Sequence, residues 1–328
     1  MATLSALPLS LPRIDLTSED LRPGTTTWDL VRGDVLQALE EYGCFEAVYG
    51  GSTNEPDQLY GSVMEQLKGV FNLPKETKQR FFEPRKPFLG YHGDLPGVPL
   101  YEAMAIAGVL TSPAIQGLAD LLWSDHGNPR FCETMNAYAK KVSDLALLVK
   151  RLAFEGLGVA KYFDSHVNST TYALRLSKYT APDTMGAQLG TSIHTDKNFL
   201  TILQQNHVDG LEVQMKDGKW IRTSPSPSTF IVIVGESFLG WCNGRLQCPR
   251  HCVMMRGHET RYSIGLFSSL EGTIECPKEL IDEEHPMLFK PFDEMALLQY
   301  TQKKIALQRS VRQTEEAPDC TLKEYFGV

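Results

Sequence analysis

The chain has 328 residues, of which 42% are hydrophobic and 22% are charged, a composition typical of a globular protein with a full core. Its formal net charge of −8 at pH 7, without a lysine- or arginine-rich run, argues against nucleic acid or an anionic membrane as a partner. No segment approaches the roughly 20 apolar residues that span a bilayer. The N-terminus does not fit a secretory signal, because no basic residue precedes its short apolar stretch.

The cysteines bear on the cellular compartment. There are seven, an odd number, and none belongs to a CxxC pair. This usage is typical of reduced thiols in the cytoplasm and argues against a zinc ribbon or a disulfide framework. We expect a cytoplasmic monomer whose partner is a small molecule.

The first quarter of the chain predicts mixed α/β structure. A short apolar run with a proline at residues 11–16 favours an edge strand, and residues 44–49 favour a second strand. Apolar residues at helical spacing predict one helix over residues 27–42, which Gly43 ends, and another over residues 55–71.

Residues 84–98 are rich in proline, glycine and aromatic side chains, which is typical of a loop that borders a pocket. A long helix is predicted over residues 129–154, and its apolar stripe is expected to pack in the core. We interpret residues 1–165 as a mixed α/β region within a single compact unit that spans residues 1–328.

From residue 171 to residue 270 the pattern changes to short β-prone runs separated by turns. The runs cover residues 172–176, 200–204, 210–214, 220–222, 229–234 and 261–267. Asp209-Gly210 and Asp217-Gly218 are hairpin signals. The spacing is typical of a sandwich or jelly roll, so we predict a mainly β fold with flanking α-helices. Its core is assigned to residues 166–275, and residues 276–328 form a helical segment and tail, with a helix over residues 291–308.

His194, Asp196 and His251 are the candidate metal ligands. His194 and Asp196 are two residues apart, so on a strand both side chains would point to the same side. Two imidazoles and one carboxylate are the facial donor set of non-haem Fe(II) oxygenases. On their own these residues fit a catalytic zinc or ordinary hydrogen-bonded histidines equally well.

Arg261 and Ser263 favour the iron interpretation. They alternate with apolar neighbours on a predicted strand and so share one face. A guanidinium grips a carboxylate through two parallel hydrogen bonds, and a serine hydroxyl adds a third. Tyr179, just past the predicted strand that starts at Tyr172, could donate another bond from across the barrel. A buried arginine needs an anionic partner, which a dicarboxylate cosubstrate would supply.

Longer motifs surround these residues: Gly190-Thr191-Ser192-Ile193-His194-Thr195-Asp196, Leu200-Thr201-Ile202-Leu203-Gln204, Asp209-Gly210-Leu211-Glu212-Val213, Asp217-Gly218-Lys219-Trp220 and Trp241-Cys242-Asn243-Gly244-Arg245. They resemble the plant 2-oxoglutarate-dependent dioxygenases of specialised metabolism and hormone turnover, and the likeness covers nearly the whole chain. Pro99-Leu100-Tyr101-Glu102 resembles the branch with enzymes of glucosinolate side-chain modification, auxin oxidation and steroidal-alkaloid hydroxylation.

The resemblance implies a double-stranded β-helix (jelly-roll) core, with Fe(II) held by His194, Asp196 and His251. It also implies that Arg261 and Ser263 bind the distal carboxylate of 2-oxoglutarate, assisted by Tyr179. The implied reaction couples oxidative decarboxylation of 2-oxoglutarate by O₂ to hydroxylation, desaturation, ring closure or demethylation, with ascorbate as a reductant in assays. This chain departs from the family at 177–180, where Ser-Lys-Tyr-Thr replaces Asn-x-Tyr-Pro, and at Cys252, where arginine is usual.

The substrate is expected to be a small, largely hydrophobic plant metabolite bound by aromatic side chains. The candidate pocket residues are Phe88, Tyr91, Tyr101, Phe199, Phe267 and Phe292. Two alternatives stay open: an iron oxidase that uses ascorbate without 2-oxoglutarate, and a catalytically silent homologue that only binds a metabolite.

Overall fold

The computed structural model describes residues 10–50, 58–83, 86, 88–111, 113–124, 127–183, 186–224, 226–311 and 321–328, with the backbone alone for 305–311. The strands in this part of the chain are β1 (Arg13–Asp15), β2 (Cys44–Val48), β3 (Gly90–His92), β4 (Tyr101–Ala107), β5 (Thr170–Tyr179), β6 (Gln188–His194), β7 (Leu200–Gln205), β8 (Leu211–Gln214), β9 (Trp220–Arg222), β10 (Thr229–Val234), β11 (His251–Met255), β12 (Arg261–Leu270), β13 (Thr273–Ile274) and β14 (Phe292–Asp293). The α-helices are α1 (Thr26–Glu41), α2 (Gln58–Phe71), α3 (Lys75–Gln79), α4 (Ala114–Leu122), α5 (Pro129–Gly156), α6 (Phe163–Asn168), α7 (Glu236–Trp241), α8 (Glu294–Val311) and α9 (Leu322–Phe326).

Two sheets form the β core. The major sheet has eight strands in the order β1-β2-β10-β7-β12-β5-β4-β3, and the minor sheet has four in the order β6-β11-β8-β9. Apolar side chains from both sheets meet between them, as where Val213 of β8 packs with Ile233 of β10. This arrangement confirms the predicted jelly-roll core with flanking helices.

Alternation along β12 assigns its side chains to the two faces of the major sheet. Ile264 and Leu266 belong to the large apolar cluster that the sheet shares with α5. Arg261, Ser263 and Gly265 therefore point to the opposite face, into the space between the two sheets. We call that space the barrel interior.

The helix α5 covers the outer face of the major sheet. Asn128 caps it, because its side-chain oxygen accepts a hydrogen bond from the backbone nitrogen of Phe131 (3.0 Å), and Pro129 occupies the first turn. Its apolar stripe is buried, which confirms the predicted core role of this helix. None of the helices among the described residues is both long and apolar enough to cross a membrane.

One of the two predicted hairpins is wrong. The Asp217-Gly218 turn does join the paired strands β8 and β9, and Gly218 has a φ of +83° that favours glycine. Asp209-Gly210 instead lies between β7 of the major sheet and β8 of the minor sheet, which do not pair. A turn-prone dipeptide shows that the chain changes direction, and it does not show which strands pair afterwards.

The N-terminal region contributes more strand than predicted. The predicted loop at residues 84–98 contains strand β3. Residues 84, 85 and 87 of that loop, and residues 55–57 of the predicted second helix, lie outside the described part of the chain. The unanticipated β4 pairs with β5 over seven residues. Four strands that precede residue 166 thus belong to the major sheet. The division of the chain at residue 166 stays a prediction.

Candidate active site

Two histidines and an aspartate meet at one end of the barrel. His194 is the last residue of β6 and His251 the first of β11, and the two are register partners in the minor sheet. Their ring centroids are 4.3 Å apart. Asp196 Oδ1 lies 3.8 Å from Nε2 of His194 and 3.7 Å from Nε2 of His251. One ligand atom of each residue lies within 4.8 Å of the others, so the three can hold a single metal ion.

Asp196 lies in the loop after β6, which corrects the prediction that it shares a strand with His194. Contacts with the start of α7 hold this loop. Buried Glu236 accepts hydrogen bonds from Oγ1 of Thr195 and from Nζ of Lys197 (2.6 Å), the two chain neighbours of Asp196. The backbone nitrogen of Glu236 donates to the carbonyl oxygen of Asp196 (2.8 Å). The loop is therefore positioned by side-chain and backbone contacts with α7 and not by strand pairing.

Both histidines present Nε2 to the centre of the cluster. Nδ1 of His194 lies 2.8 Å from the carbonyl oxygen of Ser192, and Nδ1 of His251 lies 3.3 Å from that of Pro249. A ring that donates from Nδ1 to a carbonyl keeps a lone pair on Nε2, the form that binds a metal. Desolvation by the surrounding protein and the neighbouring His251 lower the pKa of His194 to about 4, although 40% of its side chain is exposed, so its ring is neutral near pH 7.

The second oxygen of Asp196 has a fixed partner. Thr201 of β7 donates to Asp196 Oδ2 (2.7 Å), which leaves Oδ1 directed at the histidines. Burial acts to raise the pKa of Asp196, but His251, His194 and the Thr201 hydroxyl outweigh it and the net shift is downward. The carboxylate is thus ionised and oriented, as a ligand of a divalent cation must be.

Arg261 is a fully buried cation in the barrel interior. Its Nη2 donates to Gln205 Oε1 (2.6 Å) and its Nη1 to Ser263 Oγ (3.4 Å), and its guanidinium lies 4.8 Å from the centre of the Tyr179 ring. Its Nε is buried without a hydrogen-bond partner. Among the residues that the structure describes, no carboxylate lies within ion-pair distance of it. A buried charge left in this way indicates a site for an anionic ligand.

Two glycines allow the close packing around Arg261 and Tyr179. A Cβ on Gly210 would lie 2.9 Å from Cδ of Arg261 and 3.3 Å from Val253, two residues beyond the metal-site histidine of β11. A Cβ on Gly190 would lie 2.8 Å from the Tyr179 ring and 3.0 Å from Val253. The guanidinium and the metal cluster are therefore parts of one interior.

The aromatic residues predicted to line the pocket do not share one environment. Phe88 and Phe267 are partly buried, and the guanidinium of Arg175 touches both, donating to the Phe88 carbonyl oxygen (3.0 Å) and lying 5.8 Å from the Phe267 ring centre. Tyr101 is buried in the interior, with its ring centre 5.1 Å from that of Tyr179. These three rings remain candidates for the pocket.

The other three aromatic predictions are corrected. Phe199 is fully buried in a ring cluster with Phe154 and Phe238, and Phe292 is buried in the same apolar core, so neither presents surface to a ligand. Tyr91 is the register partner of Met104 on β4, a residue of the apolar core on the helix-covered face of the sheet. On that face the Tyr91 hydroxyl donates a hydrogen bond to Glu102 (3.1 Å). Sequence cannot tell an aromatic residue of the core from one of a pocket, because both environments favour the same side chains.

Several positioning residues were not anticipated. Thr201 and Gln205 lie four residues apart on β7 and so share one face of the strand, but Leu203 lies between them on that face and Gln204 on the other face is also polar, so no clear polar alternation marked them. Glu236 had no local signal, because its partners lie about forty residues earlier in the chain.

Comparison with known proteins agrees with this geometry. A model of the 2OG-Fe(II) oxygenase superfamily matches residues 159–269. Over 306 residues, covering 90% of this chain and 92% of the relative, the chain is 43% identical to "Probable 2-oxoglutarate-dependent dioxygenase AOP1.2" of Arabidopsis thaliana. The chain belongs to the 2-oxoglutarate-dependent dioxygenases. Its cofactors are Fe(II) and 2-oxoglutarate.

Solved structures of auxin-oxidising dioxygenases resemble this dioxygenase throughout. AtDAO1, the dioxygenase for auxin oxidation 1 from Arabidopsis thaliana, in a binary complex with 2-oxoglutarate, superposes with a TM-score of 0.72 at 30% identity, covering 84% of this chain and 99% of that one. The dioxygenase for auxin oxidation of rice gives a TM-score of 0.76 at 26% identity, covering 97% and 100%. The family resemblance inferred from the motifs is confirmed.

Proposed function

We propose that this dioxygenase couples the oxidative decarboxylation of 2-oxoglutarate to oxidation of a C–H bond in a small, largely hydrophobic metabolite. His194, Asp196 and His251 hold Fe(II) in this proposal. Arg261 and Ser263 hold the distal carboxylate of 2-oxoglutarate, with Tyr179 beside them. The observation that carries these assignments is the buried guanidinium of Arg261, which has neutral partners only among the described residues and shares one interior with the metal cluster.

Fe(II), 2-oxoglutarate and O₂ would supply the oxidising chemistry of the reaction. Together they would yield succinate and CO₂ and the oxidising power for a substrate C–H bond. The chain's own residues orient and shield these groups. Thr201 fixes the Asp196 carboxylate, and the carbonyls of Ser192 and Pro249 fix the two imidazoles. Apolar residues around Arg261 exclude water and so strengthen its hydrogen bonds to an anion.

The neutral state of Tyr179 supports its place in the proposal. Burial raises its pKa to about 12, so the hydroxyl keeps its proton and can donate a hydrogen bond at pH 7. Ser177, at the place of the family's usual asparagine, is buried on β5 opposite Ser263. Its hydroxyl is a second neutral donor on the same interior face.

We propose that Phe88, Tyr101 and Phe267 contribute the aromatic part of the substrate pocket. Phe267 and Arg175 lie together in the interior, and Phe267 is the register partner of Thr201, the residue that orients Asp196. The register of Phe267 with Thr201 supports this proposal, because a substrate must bind near the metal to react.

We also propose that the protein acts as a monomer in the cytoplasm, without a nucleic-acid or membrane partner. The cysteines of the described residues are free thiols, which suits a reducing compartment. The net charge of −8 gives an anionic surface repelled by nucleic acids and anionic lipids. Sedimentation at micromolar concentrations tests the monomer, and a tagged chain in plant cells tests the compartment.

The decisive experiment for the reaction class follows the absorbance of the anaerobic protein. Wild-type protein with Fe(II) and 2-oxoglutarate should show a weak visible charge-transfer band, and His251→Gln should lose it because a metal ligand is removed. In air, turnover should release one succinate for each 2-oxoglutarate consumed. Well-metallated protein without the band, or turnover with ascorbate alone, would contradict the proposal and favour the ascorbate-using oxidase. A band without turnover of any metabolite would favour the silent homologue.

The type of oxidation is read from the product mass. Plant metabolites that stimulate succinate release should be converted to products that gain one oxygen atom for hydroxylation. Loss of two hydrogen atoms would show desaturation or ring closure, and loss of a methyl group would show demethylation.

A further inference from the structure

Arg175 is a second arginine in the barrel interior, and the proposed chemistry leaves it without a role. It lies on β5 at an alternate position to Ser177 and Tyr179, so its side chain shares their interior face. The intervening residues Leu174 and Leu176 point to the other face of the sheet and belong to the large apolar cluster there. The position of Arg175 is therefore fixed by the same strand that carries the residue stacked on Arg261.

The neighbours of Arg175 leave its guanidinium free for a ligand. Its register partners are Ala105 on β4 and Gly265 on β12, so small residues flank it on both sides. Its Nη2 donates to the backbone oxygen of Phe88, which accounts for one of its five N–H groups. Within the described part of the chain, no carboxylate forms an ion pair with it.

His92 adds a second unsatisfied group on the same face. It pairs with Ala103 of β4, a residue of the interior cluster, and its ring therefore points inward. Its Nε2 is buried and has no hydrogen-bond partner. Burial and the charge of Arg175 lower the pKa of His92, which agrees with a position close to that guanidinium. Buried polar atoms of this kind are normally satisfied by a ligand or by water.

The location of Arg175 connects it with the substrate and separates it from Arg261. Its guanidinium lies 5.8 Å from the ring centre of Phe267, whose register partner Thr201 orients the metal carboxylate. Arg175 pairs with Gly265 on β12, four residues along the strand from Arg261, so the backbone positions that carry the two arginines are about 13 Å apart. This separation along the sheet leaves Arg175 available for an anion other than the one at Arg261.

We propose that Arg175 binds a carboxylate of the substrate, in a space that the ring of His92 also lines, so that the dioxygenase acts on a small organic acid with an apolar or aromatic body. This inference rests on the proposed function, because it names the substrate class of the same site. The guanidinium donates two parallel hydrogen bonds to the carboxylate, and the apolar body lies against Phe267 near the metal. The carboxylate thereby sets which C–H bond faces the metal.

The test compares organic acids with their methyl esters, which differ in charge but hardly in shape. Phenylacetate, 3-phenylpropionate and cinnamate, each with its methyl ester, are titrated calorimetrically into metal-free wild-type protein and into Arg175→Gln. The wild type should bind the best acid more tightly than its ester. Arg175→Gln should weaken binding of that acid by about 10- to 100-fold and leave ester binding nearly unchanged, because it removes a charge-assisted pair of hydrogen bonds.

Two further variants separate this role from a structural one. Arg175→Lys keeps the charge and should keep a preference for acids, whereas a purely structural loss would weaken acids and esters alike. Arg261→Met should leave the acid preference in place. An acid preference lost in Arg261→Met and kept in Arg175→Gln would overturn the assignment, as would a wild type that shows no preference for acids. These titrations use protein without iron. A negative result in them is therefore independent of whether the Fe(II) protein shows the charge-transfer band that tests the proposed function.

Discussion

Replacing Arg261 by methionine tests the cosubstrate site with opposite effects on binding and on stability. Methionine fills a similar volume without a charge, so the buried guanidinium disappears and the packing is largely kept. A carboxylate that loses both hydrogen bonds of a buried arginine loses about 3–5 kcal/mol of binding, which corresponds to roughly 150- to 5,000-fold weaker affinity for 2-oxoglutarate. The free energy of unfolding of the ligand-free protein should fall little or even rise, because a buried cation without a carboxylate is costly.

Thermal unfolding of the anaerobic Fe(II) protein measures both effects. At a 2-oxoglutarate concentration 100 times the wild-type dissociation constant, ligand binding should stabilise the wild type by about 2.7 kcal/mol. At the same concentration Arg261→Met should gain no more than about 0.4 kcal/mol. Ser263→Ala is the matched control, because loss of one neutral hydrogen bond should weaken binding by only about 1 kcal/mol.

The result that would refute the reasoning is a full ligand-induced stabilisation in Arg261→Met. In that case the cosubstrate carboxylate would bind elsewhere, and the buried guanidinium would be a structural cation held by Gln205, Ser263 and Tyr179. A ligand-free Arg261→Met protein that is destabilised by more than about 3 kcal/mol would also contradict the argument, since the cation would then stabilise the fold without its anion.

Three other substitutions, one of them with a matched control, test the positioning of the site and its core. Thr201→Val should weaken Fe(II) binding about 10- to 100-fold in a metal titration, because Asp196 loses its orienting partner, and unchanged affinity would show that the 2.7 Å hydrogen bond is dispensable. Burial holds the pKa of His166 at about 2 in the folded protein, against 6.5 in the unfolded protein. Between these pH values the folded protein binds fewer protons than the unfolded protein, so the free energy of unfolding decreases as the pH falls below 6.5. His166→Phe should therefore reduce the slope of unfolding free energy against pH by about 1.4 kcal/mol per unit below pH 6, and an identical slope in chemical denaturation would contradict this. Gly235→Ala should prevent stable folding in a chemical denaturation assay, because its Cβ would lie 1.8 Å from the backbone oxygen of Asn198. Gly33→Ala in α1, where a Cβ would meet open space, is the control and should be neutral or slightly stabilising in the same assay.

The metal site could be predicted from sequence because its chemistry restricts both residue type and number. His194, Asp196 and His251 are brought together as expected, although Asp196 lies in a loop and not on the strand. What orients it could not be predicted, since Glu236 reaches the loop only after the chain has passed through several strands. Such contacts depend on sheet order, which local patterns do not encode.

Strand β4 shows the same limit in the fold. Its sequence from Tyr101 to Ala107 is rich in alanine and contains a single β-branched residue, so its intrinsic preference for strand is weak. Seven register pairs with β5 nevertheless hold it in the major sheet. Small side chains at Ala103 and Ala105 are useful there, because larger ones would fill the space beside His92 and Arg175.

The place of the early strands in the major sheet has a consequence for how this enzyme can be dissected. The family model covers residues 159–269, yet β2 borders β10 and β4 borders β5 within one continuous hydrogen-bonded layer. A fragment cut to the matched segment would expose two long, apolar strand edges to water and to other copies of itself. Such a fragment should aggregate on expression, so trimming of this catalyst has to spare the N-terminal half.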